Sequence, residues 1–97
     1  MRKEIWTKTA SFEYEQNIDY LLKRWSEKEA LRFIRKVESI LYDLKKEIVD
    51  YPLTEKGNVK KCVVAKQITL FYEIDAENNL VLLSFWNNYQ DPERLEF

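Results

Sequence analysis

Ninety-seven residues suffice for one hydrophobic core and not for two. With no histidine, one cysteine and one glycine, the chain cannot assemble a Ser-His-Asp or Cys-His centre, an internal disulfide or a glycine-rich phosphate loop, and a zinc site would rest on carboxylates almost alone. The net charge of −1 and pI near 5.6 supply no overall basic field for capturing nucleic acid.

The N-terminus, MRKEIWTK, lacks the apolar core of a signal peptide, and its first strand is expected at Glu4-Ile5-Trp6-Thr7. Thr7 or Thr9 then offers an N-cap for a helix starting near Ala10. Tyr14, Ile18, Leu21, Leu22 and Trp25 recur at spacings of three and four, which predicts one buried helix face. Ser26-Glu27-Lys28-Glu29 reads as a capping box opening a second helix. Its stripe is Ala30, Phe33, Ile34, Val37, Ile40, Leu41, Leu44 and Ile48, and Tyr51-Pro52 ends it because proline cannot continue the ladder. The brief interruption at Trp25-Ser26 makes the two helices an antiparallel hairpin.

After Pro52 the hydrophobic period changes from about 3.6 to 2. A polar loop, 53–58, leads into a strand over Val59–Ala65, and Lys66-Gln67 is short enough for a tight hairpin turn. Ile68–Ile74 forms the next strand, the cluster 75–79 turns, and Leu80–Trp86 forms the last. One strand, two helices and a three-stranded antiparallel meander predict an α+β fold, a single domain over 1–97 with the hairpin on one face of a curved sheet. No stretch approaches the roughly 20 apolar residues of a membrane span, and one cysteine fits a reducing, cytoplasmic location.

Charge is unevenly distributed. Residues 55–66 hold four lysines against Glu55, whereas residues 67–97 hold Arg94 against six acids. Lys56, Lys60, Lys61 and Lys66 form the one basic stretch, although alternation sends Lys60 and Lys61 to opposite faces of a strand. Such lysines either guard a solvated sheet edge against aggregation or contact an anionic partner. Cys62 reads as a small buried core residue, and Trp6 and Trp25 as packing residues; Trp86 faces the terminal loop. That loop, Asn87-Asn88-Tyr89-Gln90-Asp91-Pro92, either makes a turn or forms a contact surface.

An ordered set of residues resembles the RelE/ParE superfamily of toxins from bacterial type II toxin–antitoxin systems. It runs through Trp6-Thr7, Ala10, Tyr20-Leu21, Trp25-Ser26, Ala30, Phe33, Pro52, Val59-Lys60, Cys62-Val63-Val64 and Lys66. It continues with Leu70-Phe71-Tyr72-Glu73-Ile74 and ends on Phe85-Trp86-Asn87-Asn88 and Gln90-Asp91-Pro92. The resemblance implies a growth-inhibiting, plasmid-stabilising toxin of RelE/ParE-like fold, needing no cofactor or metal and neutralised by a cognate antitoxin. The antitoxin would add a segment to an exposed sheet edge or lay a helix across the helical hairpin.

One branch of that superfamily resembles ribosome-dependent messenger RNA endoribonucleases; the other is linked to DNA gyrase. Cleavage through a ribose hydroxyl needs a base, an acid and cations for the phosphorane. Lys60 matches the lysine strand of the nuclease branch. Its middle-strand arginine position is Thr69, however, the arginine after the last strand falls at about Tyr89, and the terminal tyrosine region reads Arg94-Leu95-Glu96-Phe97. Loss of those guanidinium forks favours a ParE-like toxin acting by protein contact through Lys60, Trp86, Asn87, Asn88 and Tyr89. The alternatives are a nuclease rebuilt from Lys60, Lys61, Lys66 and Tyr89, and an inactive member kept as a binding module. A homodimer or a hetero-oligomer with antitoxin fits either branch.

Overall fold

The computed structural model describes residues 1–88, and the chain follows the order β1 (Glu4–Trp6), α1 (Lys8–Arg24), α2 (Glu27–Lys45), β2 (Lys60–Ala65), β3 (Ile68–Ile74) and β4 (Leu80–Asn87). The expected α+β architecture is present. The four strands form one sheet in the order β1-β4-β3-β2, in which β2, β3 and β4 are an antiparallel meander and β1 pairs parallel with β4. Both helices lie on one face. That face carries Ile68, Leu70, Tyr72, Leu80, Leu82 and Phe85, all within 1 % of complete burial.

Thr7 caps α1, its hydroxyl accepting from the Ala10 N–H at 3.1 Å. Ser26 caps α2 by accepting from the Glu29 N–H at 3.2 Å, but the reciprocal half of the expected capping box is replaced, because the Glu29 carboxylate turns outward to Arg32 at 3.3 Å. From that cap, Ala30, Phe33, Val37, Ile40, Leu41 and Leu44 are all buried against the sheet. Trp6, Tyr14, Phe33 and Phe85 interlock where α1, α2, β1 and β4 meet, with ring centroids 5.2–6.3 Å apart.

Three helix expectations are corrected. Leu22 and Trp25 are 48 % and 54 % exposed, because Ala10, Asn17 and Leu21 take the buried face of α1. Helix α2 stops at Lys45 rather than near Pro52. Glu47 adopts a left-handed conformation (φ 59°), its N–H bonds the Leu44 carbonyl and the Ile48 N–H bonds the Asp43 carbonyl, closing a Schellman turn without glycine. Ile48 is therefore outside the helix and 65 % exposed. Arg2 secures this end: its backbone N–H donates to the Lys45 carbonyl, and its guanidinium donates to the Leu44 carbonyl, where a cation suits the helix C-terminus.

Strand β1 ends at Trp6, opposite Leu82, which leaves the outer edge of β4 beyond that point without a strand neighbour. Side chains of the α1 region take over. Thr7 donates to the Leu82 carbonyl from both its N–H (3.2 Å) and its hydroxyl (2.8 Å). One turn into the helix, Glu13 Oε1 accepts from the Ser84 hydroxyl at 2.6 Å and the Phe85 N–H at 3.2 Å, and Asn17 Nδ2 donates to the Phe85 carbonyl at 2.8 Å. Spaced i, i+4 on one helix face, Glu13 and Asn17 together offer the acceptor and donor that a neighbouring strand would.

Burial pushes the Glu13 carboxyl above its usual range, more than its two hydrogen bonds pull it down. The folded state therefore binds a proton more readily than the unfolded one, so this group's contribution to stability falls as pH rises through the interval above 4.5. Because both bonds fall on one oxygen, a neutral amide can accept both. Glu13→Gln is expected to match or exceed the parent in urea unfolding at pH 7, with any advantage vanishing below pH 4.5. Asn17→Ala, which strands the buried Phe85 carbonyl, should cost about 1–3 kcal/mol in the same assay.

Candidate functional site

The residues that the sequence pattern singles out do not converge. Lys60 sits opposite Tyr72 in the β2–β3 ladder and gives its ammonium to Asp50 at 2.5 Å, a bond that holds the Asp50 carboxyl below the usual range. Lys61 projects from the other face and is exposed. Lys66 occupies the two-residue turn between β2 and β3, at the far end of the strand. Three lysines thus point into three separate regions, and the pocket that a rebuilt nuclease centre requires is not formed by them.

The terminal contact set divides as well. Trp86 is 8 % exposed and packs with Val59 and Phe71 in a small second cluster on the sheet face away from the helices, so it is a packing residue. Asn87 is the last residue of β4, buried and in register with Ile68. Asn88 is a strand closure: its N–H bonds the Gln67 carbonyl, and its side-chain amide lies 3.2–3.4 Å from the Thr69 hydroxyl. Thr69, where the nuclease branch would carry an arginine, thereby engages its hydroxyl with the Asn88 side chain. Tyr89 and the rest of the Gln90-Asp91-Pro92 frame lie outside the described residues.

Among the described residues, the remaining titratable groups near these positions do not supply an acid–base pair. Tyr72 is fully buried, and burial pushes its pKa up to about 12 in spite of a hydrogen bond with the Tyr51 backbone. Neighbouring Tyr51 is likewise raised to about 12 by burial and by its hydrogen bond with the Cys62 thiol. Cys62 is buried as expected, and burial raises its pKa in spite of Tyr51 and Lys36 nearby. A reactive thiol requires the opposite shift.

What the sequence pattern did not reveal is a groove of about 500 Å³ between the helical hairpin and the outer strand. Leu21, Trp25 and Phe33 line its helical wall, Val63 and Ala65 its strand wall, and Arg32, Lys36 and Lys66 its rim. Val63 and Trp25 are 62 % and 54 % exposed. The rim adjoins a wider basic cap on the hairpin, where exposed Lys23, Arg24, Lys28, Arg32, Arg35 and Lys36 outnumber the nearby acids Asp19, Glu27 and Glu29. Charge counted over the whole N-terminal half hides this cap, because acids elsewhere in 1–54 cancel it.

A second concavity, about 380 Å³, lies between α1 and the end of β4. Its Lys23 and Arg24 are offset by Asp19 and Glu13, and Glu13 and Asn17 are already occupied with β4.

No family model matches the chain, and no curated protein matches it in sequence. Solved structures do match in fold. A chain of the chromosomal ParDE TA system from P. aeruginosa superposes with a TM-score of 0.72 at 12 % identity, covering 90 % of this chain and 96 % of that one. The YoeB dimer from Staphylococcus aureus gives 0.62 at 12 % identity, covering 87 % and 93 %. A copper-bound mutant toxin from Helicobacter pylori gives 0.60 at 19 % identity, covering 92 % and 97 %. The chain therefore has the RelE/ParE-like fold that its residue pattern resembles.

The buried Tyr72 hydroxyl yields a test of its role. Tyr72→Phe removes its hydrogen bond with the Tyr51 backbone and should cost about 0.5–1.5 kcal/mol. Urea unfolding at pH 7 measures this.

Proposed function

We propose that this protein is the toxin of a type II toxin–antitoxin system, acting by binding a cellular protein rather than by cutting RNA. The fold shared with the ParDE and YoeB chains over about nine-tenths of its length supports the toxin assignment. The observation that carries the choice of mechanism is the separation of Lys60, Lys61 and Lys66, together with Thr69 in place of a phosphate-gripping arginine. In-line cleavage needs its base, acid and cations within reach of one phosphate. Here Lys60 is tied to Asp50, and the two tyrosines described above hold their protons far beyond neutral pH.

On this reading the target is a protein such as DNA gyrase, and a cognate antitoxin neutralises the toxin by covering its contact surface. No helix among the described residues is long and apolar enough to cross a membrane, which suits a toxin that works in the cytoplasm. Induced expression without antitoxin should arrest growth, purified protein should inhibit gyrase supercoiling, and ribosomes programmed with messenger RNA should remain uncut. Ribosome-dependent cleavage abolished by Lys60→Ala would overturn the mechanism, and expression without growth arrest would overturn the toxin assignment.

A further inference from the structure

The closed end of the helical hairpin exposes three large apolar side chains that the core does not use. Leu22 and Trp25, three positions apart, share one face at the end of α1, and Leu31 lies in the second turn of α2. Each sits among cations of the basic cap. Leu31 shares a shallow hollow of about 490 Å³ with Lys28, Arg32 and Arg35, and Trp25 stands beside Arg32 and Lys36 at the groove. Leu22 is followed directly by Lys23 and Arg24. A single exposed leucine is ordinary on a protein surface; three large apolar side chains at one end of a hairpin, ringed by positive charge, are not.

The charge is as localised as the apolar surface. The six cations of the cap against Asp19, Glu27 and Glu29 give this end +3, so the rest of the chain carries −4 to reach the net charge of −1. Glu29 is already bridged to Arg32. Such a separation turns the hairpin end toward a negative surface and the remainder away from it. We propose that this end is a membrane-docking tip that rests on an anionic lipid surface, with Leu22, Trp25 and Leu31 in the headgroup–acyl boundary and the surrounding cations on lipid phosphates. The chain then lies on the bilayer and does not span it, since no helix among the described residues is long and apolar enough to cross.

Other occupants fit the tip less well. A nucleic acid would engage the cations, but its phosphates offer nothing to Leu22 and Leu31. A second copy would set one basic end against another. An acidic protein would have to match the end of two adjacent helices, roughly 20 Å across, whereas a stable interface buries about 800 Å² per partner. A bilayer needs no matching shape. Tryptophan suits its boundary because the indole ring is apolar and the ring N–H polar. Lysine and arginine stems lie along apolar surface while their charged heads stay with the phosphates.

The test mixes the full chain with phosphatidylcholine vesicles, with or without about one-third phosphatidylglycerol, and follows sedimentation and tryptophan emission. At physiological salt the chain should bind the anionic vesicles at least tenfold more tightly than the neutral ones, and high salt should weaken that binding. Emission should move to shorter wavelength as exposed Trp25 enters the boundary. Trp25→Ala should abolish that shift, and the double reversal Lys28→Glu, Arg35→Glu should weaken binding at least tenfold. The same reversal at exposed Lys3 and Lys8, outside the tip, should change it less than threefold, with urea unfolding confirming that each variant is folded. Equal binding to neutral vesicles, binding without the emission shift, or an equal loss on reversing Lys3 and Lys8 would each overturn the proposal. So would a 12-nucleotide oligonucleotide or a polyglutamate peptide that binds the tip when vesicles do not. Growth arrest by a chain that ignores vesicles refutes the tip alone. Vesicle binding by a chain that does not arrest growth refutes the toxin assignment alone.

Discussion

Closure of the β4 edge by α1 is the constraint on which the rest of the fold depends. Among the described residues, β4 is the strand that joins the two ends of the sheet order, with β1 on one side and β3 on the other. Its eight residues outrun the three of β1, so half of its outer edge would lie buried and unpaired without Thr7, Glu13 and Asn17. A buried backbone carbonyl or N–H without a partner costs about 1–3 kcal/mol, comparable with a sizeable fraction of a small domain's stability. Satisfying these groups from one helix face also fixes where α1 lies. With α1 placed, Tyr14 and Phe85 come into contact, α2 packs beside them, and the hairpin is aligned over the sheet.

This arrangement explains why the hairpin projects a basic, partly apolar end beyond the sheet. Helix α1 uses Glu13 and Asn17 for β4 and Leu21 for the core, so its last turn, with Leu22 and Trp25, has no further strand to cover. The apolar surface left there faces β2 across the groove. Cations dominate the same end because α1 closes on Lys23 and Arg24, where positive charge suits the helix C-terminus. Helix α2 then adds Lys28, Arg32, Arg35 and Lys36 on its outer face.

The fold was largely legible in the sequence because its signals are local. Thr7 and Ser26 caps, the α2 stripe, the two-residue turn at Lys66-Gln67 and the Asp75–Asn79 cluster each declare themselves within a few residues. That last turn is stapled by Asp75, which accepts from the Glu77 and Asn79 N–H groups. The parallel pairing of β1 with β4 was not legible, nor was the surrogate pairing by Glu13 and Asn17, since each joins residues about 70 or more positions apart. The end of α2 was misplaced because Glu47 supplies a left-handed turn that sequence patterns assign to glycine. The contact surface was the least legible part. Trp25 continues the apolar period of α1 and so reads as core, while Trp86, at the end of the last strand where it faces the terminal loop, is the one that the sheet buries.

The two outer strands show how one set of residues meets opposing demands. An open strand edge invites association, and this chain limits it by keeping β1 to three residues and covering the start of β2 with a proline-bearing segment. What remains open is flanked by Lys61 and Lys66, which repel a second copy through like charge. An uncharged edge of the same length would lack that repulsion, and the apolar groove beside it would then favour indiscriminate pairing.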